Sequence, residues 1–295
     1  MDHKALVATL SPEVRAQLLE KSDAAGLRHL IAHMGLIALC GGLIAGGVPW
    51  WHFLVLPQGL LIIFLFTLQH ECVHKTPFAT ESLNEWVMRI CAVLIVLPPT
   101  HFRYFHLAHH RYTNDPDKDP ELEGAGPDTW PRFLLTITGL PVWRFHLSLT
   151  VRNALGRCTD SYIPVARMAD VRSEARIMLA IYAVAGLALT MGQTWIFWCW
   201  ILPAVIGQPS LRLYLMAEHG RCPPVANMLE NSRTTYTNRI IRFLAWNMPF
   251  HAEHHAYPTV PFHKLPQLNQ FAAPHIVNTS DGYADYHKEA AASRQ

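Results

Sequence analysis

Charge is scarce in this chain. Asp, Glu, Lys and Arg together make up 16% of its 295 residues, against 51% for the apolar and aromatic types. A soluble domain ordinarily carries about 25% charged residues, so the shortage points to a membrane setting. The net charge of +2 comes without a dense basic stripe, which sets nucleic-acid binding aside. The six cysteines, Cys40, Cys72, Cys91, Cys158, Cys199 and Cys222, are scattered and form no Cys-x-x-Cys pair. That argues against a disulfide framework, a zinc ribbon and a cysteine-held iron–sulfur cluster. Those in apolar runs read as small hydrophobes. No Gly-x-Gly-x-x-Gly fingerprint for a dinucleotide is present. The first 27 residues hold no short apolar stretch ending at a small-residue cleavage site, so no removable signal peptide is expected.

What is present instead is a set of long apolar runs. Residues 30–47 and 53–69 are nearly all apolar, with Pro49-Trp50-Trp51 as a turn bearing interfacial aromatics, and 177–191 and 195–212 repeat the pattern around Gly192-Gln193. Each run is close to the minimum for a span, about 17 residues. Of the 24 Lys and Arg, four lie in 1–28, twelve in 75–176 and seven in 218–295; Arg212 lies near the end of the fourth run, and the two short turns have none. Basic residues are retained on the cytoplasmic side. The expectation is therefore an all-α integral membrane protein, one unit over 1–295. It has about four transmembrane helices in two hairpins, both termini inside, and a cytoplasmic helical cap at 70–176 and 213–275. Apolar stretches at 88–96 and 133–149 are interrupted by Pro98-Pro99, Pro141 and Arg144 and read as interfacial or re-entrant helices, with two further spans as the alternative. Pro116, Pro120 and Pro127 make 114–130 a turn-rich loop.

Histidine is plentiful, at 18 residues, and eight of these fall in three short windows: His70 and His74; His106, His109 and His110; His251, His254 and His255. Spacings of three and four place two imidazoles on one face of a helix, aimed at one ion. A lone pair of this kind is more often a headgroup anchor, but three windows on one expected side of the membrane form a polyhistidine metal centre. One zinc takes about four ligands, so eight imidazoles suit two metals. Glu71, Asp115, Asp119, Glu218 and Glu253 are candidate acceptors for the second ring N–H of such ligands. The plain alternative for each is a solvated or turn-forming charge. Asn247 would hold a metal-bound water if its segment were helical, or else cap a turn. His33, His52 and His263 read as ordinary structural histidines. A metal transporter would carry its histidines within the spans along a path, and a zinc hydrolase would need only three ligands and an open position.

In order, spacing and relation to the apolar runs, His70-x3-His74, His106-x2-His109-His110 and His251-x2-His254-His255 resemble the three histidine boxes of the membrane fatty acid desaturase superfamily. The resemblance covers roughly residues 30 to 270. It implies two iron ions on the eight box histidines, with His219 at the place of a further family ligand and His101 as a weaker candidate nearby. It also implies O2 as co-substrate and a desaturase acting on a fatty-acyl or lipid-like chain. A hydroxylase or ketolase of the same superfamily, acting on an alkane, carotenoid or lipid chain, is the nearest rival. No segment resembles cytochrome b5, so a separate electron donor of ferredoxin, rubredoxin or cytochrome b5 type, with its reductase, is expected.

Overall fold

Each long apolar run is helical in the computed structural model, which describes residues 1–122 and 127–294. The expected loop at 114–130 is thus described except for 123–126. The helices are α1 (His3–Thr9), α2 (Pro12–Leu18), α3 (Asp23–Ala45), α4 (Val55–Ile63), α5 (Leu65–Val73), α6 (Glu81–Ile95), α7 (Pro99–Tyr112), α8 (Trp130–Ile137), α9 (Leu140–Ala154), α10 (Met168–Thr190), α11 (Leu202–His219), α12 (Met228–Asn231), α13 (Arg239–Leu244), α14 (His251–Ala256), α15 (Leu265–Ala272) and α16 (Tyr283–Ala292). Two three-residue strands, β1 (Arg233–Thr235) and β2 (Asn278–Ser280), pair in parallel with Thr234 opposite Thr279. They are a small addition to the expected all-α architecture.

Among the described residues, three helical segments are long and apolar enough to cross a membrane: Pro12–Ala45, Trp51–Val73 and Val165–Thr190. A fourth such segment exists only if α6 and α7, bent by 100° at their junction, count as one broken span. The expected fourth span at 195–212 is realised as a π-helical turn, Phe197–Ile201, running into α11. Ser22 starts α3 by accepting a hydrogen bond from the Ala25 amide, the N-cap arrangement that satisfies a free helix-end donor. The helix stops at Gly46 and Gly47, the latter at φ +62°, a left-handed conformation that glycine adopts without a Cβ penalty.

The α6–α7 bend positions the second histidine box. Val96 takes a left-handed φ of 59° and Pro98-Pro99 cannot continue α6, so the chain turns sharply. Carbonyls freed by the break are re-satisfied: Val93 by Tyr182, Leu94 by the Trp200 indole and Leu97 by the Gln69 amide. In an apolar setting, irregular backbone persists only where such partners exist.

The first and second hairpins meet along α4 and α11. Gly59 touches Pro203 and Gly207, and further along Phe64 meets Tyr214, so the two helices run in the same direction. Their starting turns also sit together, with Trp51 edge-on to Trp198 at 5.2 Å between ring centroids. Consequently His70, His74 and His219 emerge at the same end. A Cβ on Gly59 would lie 2.2 Å from the Pro203 carbonyl oxygen, and one on Gly207 would lie 2.4 Å from that of Gly59. Close backbone approach of this kind is how small residues pack apolar helices. Gly207→Val should destabilise the protein by about 1–3 kcal/mol, the usual range for overpacking. The readout is a thermal midpoint lowered by several degrees. Gly42→Val, where a side chain would meet nothing within 4 Å, is the control. Equal midpoints would refute the helix contact.

Candidate metal centre

The histidine windows converge from four elements. His70 lies on α5 and His74 caps its C-terminus; His106, His109 and His110 share one side of α7; His251, His254 and His255 occupy α14; and His219 is the last residue of α11. Their ring nitrogens form two groups. In the first, the ligand atoms of His70, His74, His106, His110 and His254 all lie within 4.8 Å of one another. The second holds His109, His219 and His255 within the same limit, and His251 joins it by its Nε2, 2.9 Å from that of His219. The rings of His110 and His255 stack at 4.0 Å where the groups adjoin.

In each group Nε2 atoms face each other. His74 and His106 approach to 3.0 Å, His110 and His254 to 3.2 Å, and His109 and His219 to 3.1 Å. Two ligands bonded to one ion at 2.0–2.1 Å and a right angle apart are separated by about 3 Å. Among the described residues, His70 has no hydrogen-bond partner on either ring nitrogen, and the Nε2 of His255 has none. Buried polar atoms are rarely left so, and convergent imidazoles with unmatched nitrogens fit cations. Burial first, and then the neighbouring imidazoles, hold His251, His254 and His255 well below the ordinary imidazole range. The rings are therefore neutral near pH 7, which is the form that ligates metal.

The opposite ring edges find acceptors. Both Asp119 carboxylate oxygens lie 3.0 Å from His109 Nδ1. Asp119 is itself fixed by the Asn114 and Glu121 amides, so the loop after box two folds back over α7. His219 Nδ1 donates to the Asn231 carbonyl at 3.1 Å, and His255 Nδ1 lies 3.3 Å from the Thr113 hydroxyl. Glu218 stands 3.4 Å from His251 Nδ1 and Glu71 stands 3.6 Å from His254 Nδ1, which are ion-pair separations and not close hydrogen bonds. Outer acceptors of this type set tautomer and ring orientation in metal sites.

A family model described as "Fatty acid desaturase" matches residues 47–284. The chain belongs to the fatty acid desaturase family. It is 24% identical over 202 residues to the sn-1 acyl-lipid omega-3 desaturase (ferredoxin) of Synechocystis sp., covering 64% of this chain and 55% of that protein. It is 25% identical over 223 residues to the beta-carotene ketolase of a Paracoccus species, covering 70% and 74%. With the dihydrorhizobitoxine desaturase of Bradyrhizobium elkanii it shares 26% identity over 284 residues, 85% and 77% of the two chains. The chain spans between 55% and 59% of the length of the omega-3 desaturases of Synechocystis, Glycine max and Caenorhabditis elegans that it matches.

Not every residue singled out in this desaturase-family sequence reaches the histidines. Asp115 instead accepts from the Asp117 amide and pairs with Lys118, a turn-forming role. Asn247 does not lie in a helix. It sits in the turn before α14 at φ 57°, accepting from Arg242 and donating to the Phe262 carbonyl, so it caps that turn and does not face the ring nitrogens. Glu253 is buried and bonded to the Thr234 hydroxyl at 2.6 Å and to Asn269, tying α14 to β1 and α15. His101 donates to Asp160 at 2.8 Å in a separate cluster. There the Asp160 carboxyl is held well below its usual range by His101 and then Arg152. Cys158 completes a possible ligand triplet with these two, but Arg152 already matches the carboxylate's charge. Among the described residues, His33, His52 and His263 join no ligand group.

Four contacts were invisible to sequence reading: Thr113, the Asn231 carbonyl, Ser232 beside His219 and Glu121, whose carboxylate stands 3.7 Å from His109 Nδ1. Glu121 had a weak signal, as another acid of the loop that carries Asp119. A carbonyl has no sequence signal at all. A cavity of about 480 Å³ opens beside the centre, reached by His70, His106, His109 and His251 and walled by Phe66, Phe102 and Phe105.

Thr234→Val would leave the buried Glu253 carboxylate short of a donor. The expected loss of stability is about 1–3 kcal/mol, seen in the thermal midpoint, with metal content unchanged. A lowered metal content at an unchanged midpoint would instead place Glu253 among the groups that orient the ligands.

Proposed function

We propose that the chain is a membrane di-iron oxidoreductase that introduces a double bond into a fatty-acyl or lipid-like chain at the expense of O2. The observation that carries this reading is the division of nine imidazoles into two groups of facing Nε2 atoms. In it, His70, His74, His106, His110 and His254 would hold one iron, and His109, His219, His251 and His255 the other. Bound there and reduced by an external carrier, the irons supply the O2-derived oxidizing power needed to take hydrogen from an unactivated C–H bond.

The protein's own part is positional. Neutral imidazoles remain ligands throughout and do not act as general bases. Asp119, Glu218 and Glu71 keep the rings aimed, and the phenylalanine walls keep water from the reacting carbons while aligning one methylene pair. The electron donor is a separate ferredoxin-, rubredoxin- or cytochrome b5-type protein with its reductase. The ferredoxin named for the Synechocystis relative favours the first. The count of Lys and Arg supports a cytoplasmic histidine end and cytoplasmic termini. The ketolase relative keeps a second reading, oxygen insertion by the same centre.

Purified wild type is expected to carry two irons per chain. Lipids from expressing cells should then contain species lighter by two hydrogens. A gain of oxygen would select the hydroxylase or ketolase reading, and zinc without iron would overturn both. His109→Ala should insert normally and be inactive; activity at full iron content would remove His109 from the ligand set. Asp119→Asn should weaken iron affinity about 10- to 100-fold, as is typical for outer-shell partners. Glu253→Gln should not.

A further inference from the structure

The cavity beside the histidines contains a cation that no group among the described residues bonds directly. Arg212 lines it from α11, seven residues before His219, or about 10 Å along the helix axis. Among the described residues no hydrogen bond or ion pair engages its guanidinium, and its buried Nε has no acceptor. The other charged groups of the cavity are already committed. Glu121 and Glu218 lie within charge range of Arg212 but do not bond to it, being turned to His109 and His251 at 3.7 and 3.4 Å. Asp160 is occupied by Arg152 and His101.

His146 lines the same space, and its Nδ1 has no partner. Burial, and then the charge of Arg212, push His146 down to about 3, so it adds no second positive charge. A guanidinium withdrawn from bulk water without a partner is costly. Its planar fork matches a carboxylate in two-point fashion. A cavity built for hydrocarbon alone would have no use for it, whereas one that receives an acid at one end and an aliphatic segment at the other would.

We propose that Arg212 is a specificity-determining residue that binds the carboxylate of a compact substrate, whose aliphatic part runs between Phe66, Phe102 and Phe105 toward His70 and His106. What then happens to that substrate rests on the oxidoreductase reading above; the binding does not.

The test compares three eight-carbon probes that differ only in their head group, octanoate, octyl phosphate and 1-octanol. Binding to the full chain in uncharged detergent is measured by calorimetry, with iron per chain determined on the same samples. Wild type should prefer octanoate over 1-octanol by tenfold or more. Arg212→Gln should abolish that preference while leaving 1-octanol binding and iron content intact, and Arg212→Lys should retain part of it. Should the glutamine variant misfold, Arg212→Met serves in its place, with 1-octanol binding as the check on the cavity. No head-group preference in wild type, or a preference that survives Arg212→Gln, would overturn the proposal. A preference for octyl phosphate over octanoate would overturn the carboxylate assignment in favour of a phosphate head group. Protein that lacks iron but still discriminates the probes would sink the oxidoreductase reading and leave this one standing.

Discussion

Nine buried imidazoles, seven of them with Nε2 atoms about 3 Å from a neighbour's, set the constraint on which the rest of the structure depends. Facing lone pairs repel unless something positive lies between them. Burial keeps His251, His254 and His255 neutral, and the outer ring edges are fastened to Asp119, Asn231 and Thr113, with Glu218 and Glu71 at ion-pair distance. Only a framework held from several directions can keep such an arrangement in register. Hence the site draws on the ends of two parallel helices, α5 and α11, on the bent helix α7 and on the short α14.

Two backbone features make that convergence feasible. The Gly59–Gly207 contact lets α4 and α11 approach closely enough that His74 and His219 finish at one level. The bend at Val96 to Pro99 then swings α7 across that end so that three histidines face both groups at once. Without the bend, the second box would continue along α6, away from the first. The bend is tolerated because Tyr182, Trp200 and Gln69 accept the burden of its free carbonyls.

Much of this was legible in the sequence, because the relevant signals were local. Spacings of three and four mark imidazoles that share a helix face, and Pro98-Pro99 marks a stop. The apolar runs set most of the long helices, although the fourth run became a π-helical turn leading into α11 with Pro209 inside it. What could not be read depends on how distant segments fold back. Asp115 and Asp119 occur in the same acidic, proline-flanked stretch, yet only Asp119 returns to His109, because the Asn114 and Glu121 amides hold it there. Asn247 looked suited to a metal-bound water on the assumption of helix, and a left-handed turn removed that role. Arg212 counted only as one of the basic residues used to orient the spans, since nothing in its neighbours announces that its guanidinium would face a cavity.

The distribution of carboxyl groups around the two histidine groups is unequal, and this asymmetry follows from the topology. The first group has one carboxylate at its outer edge, Glu71, at 3.6 Å from His254. The second has three: Asp119 and Glu121 beside His109, and Glu218 beside His251. Imidazoles that donate to a carboxylate are stronger electron donors than those that donate to a carbonyl or to nothing. His109 and His251 also reach the cavity that holds Arg212. The carboxyl-rich part of the centre and Arg212 therefore border the same space. An anionic head group is drawn to Arg212. A molecule with one acidic terminus would for that reason enter in a single orientation, its aliphatic part toward the histidines.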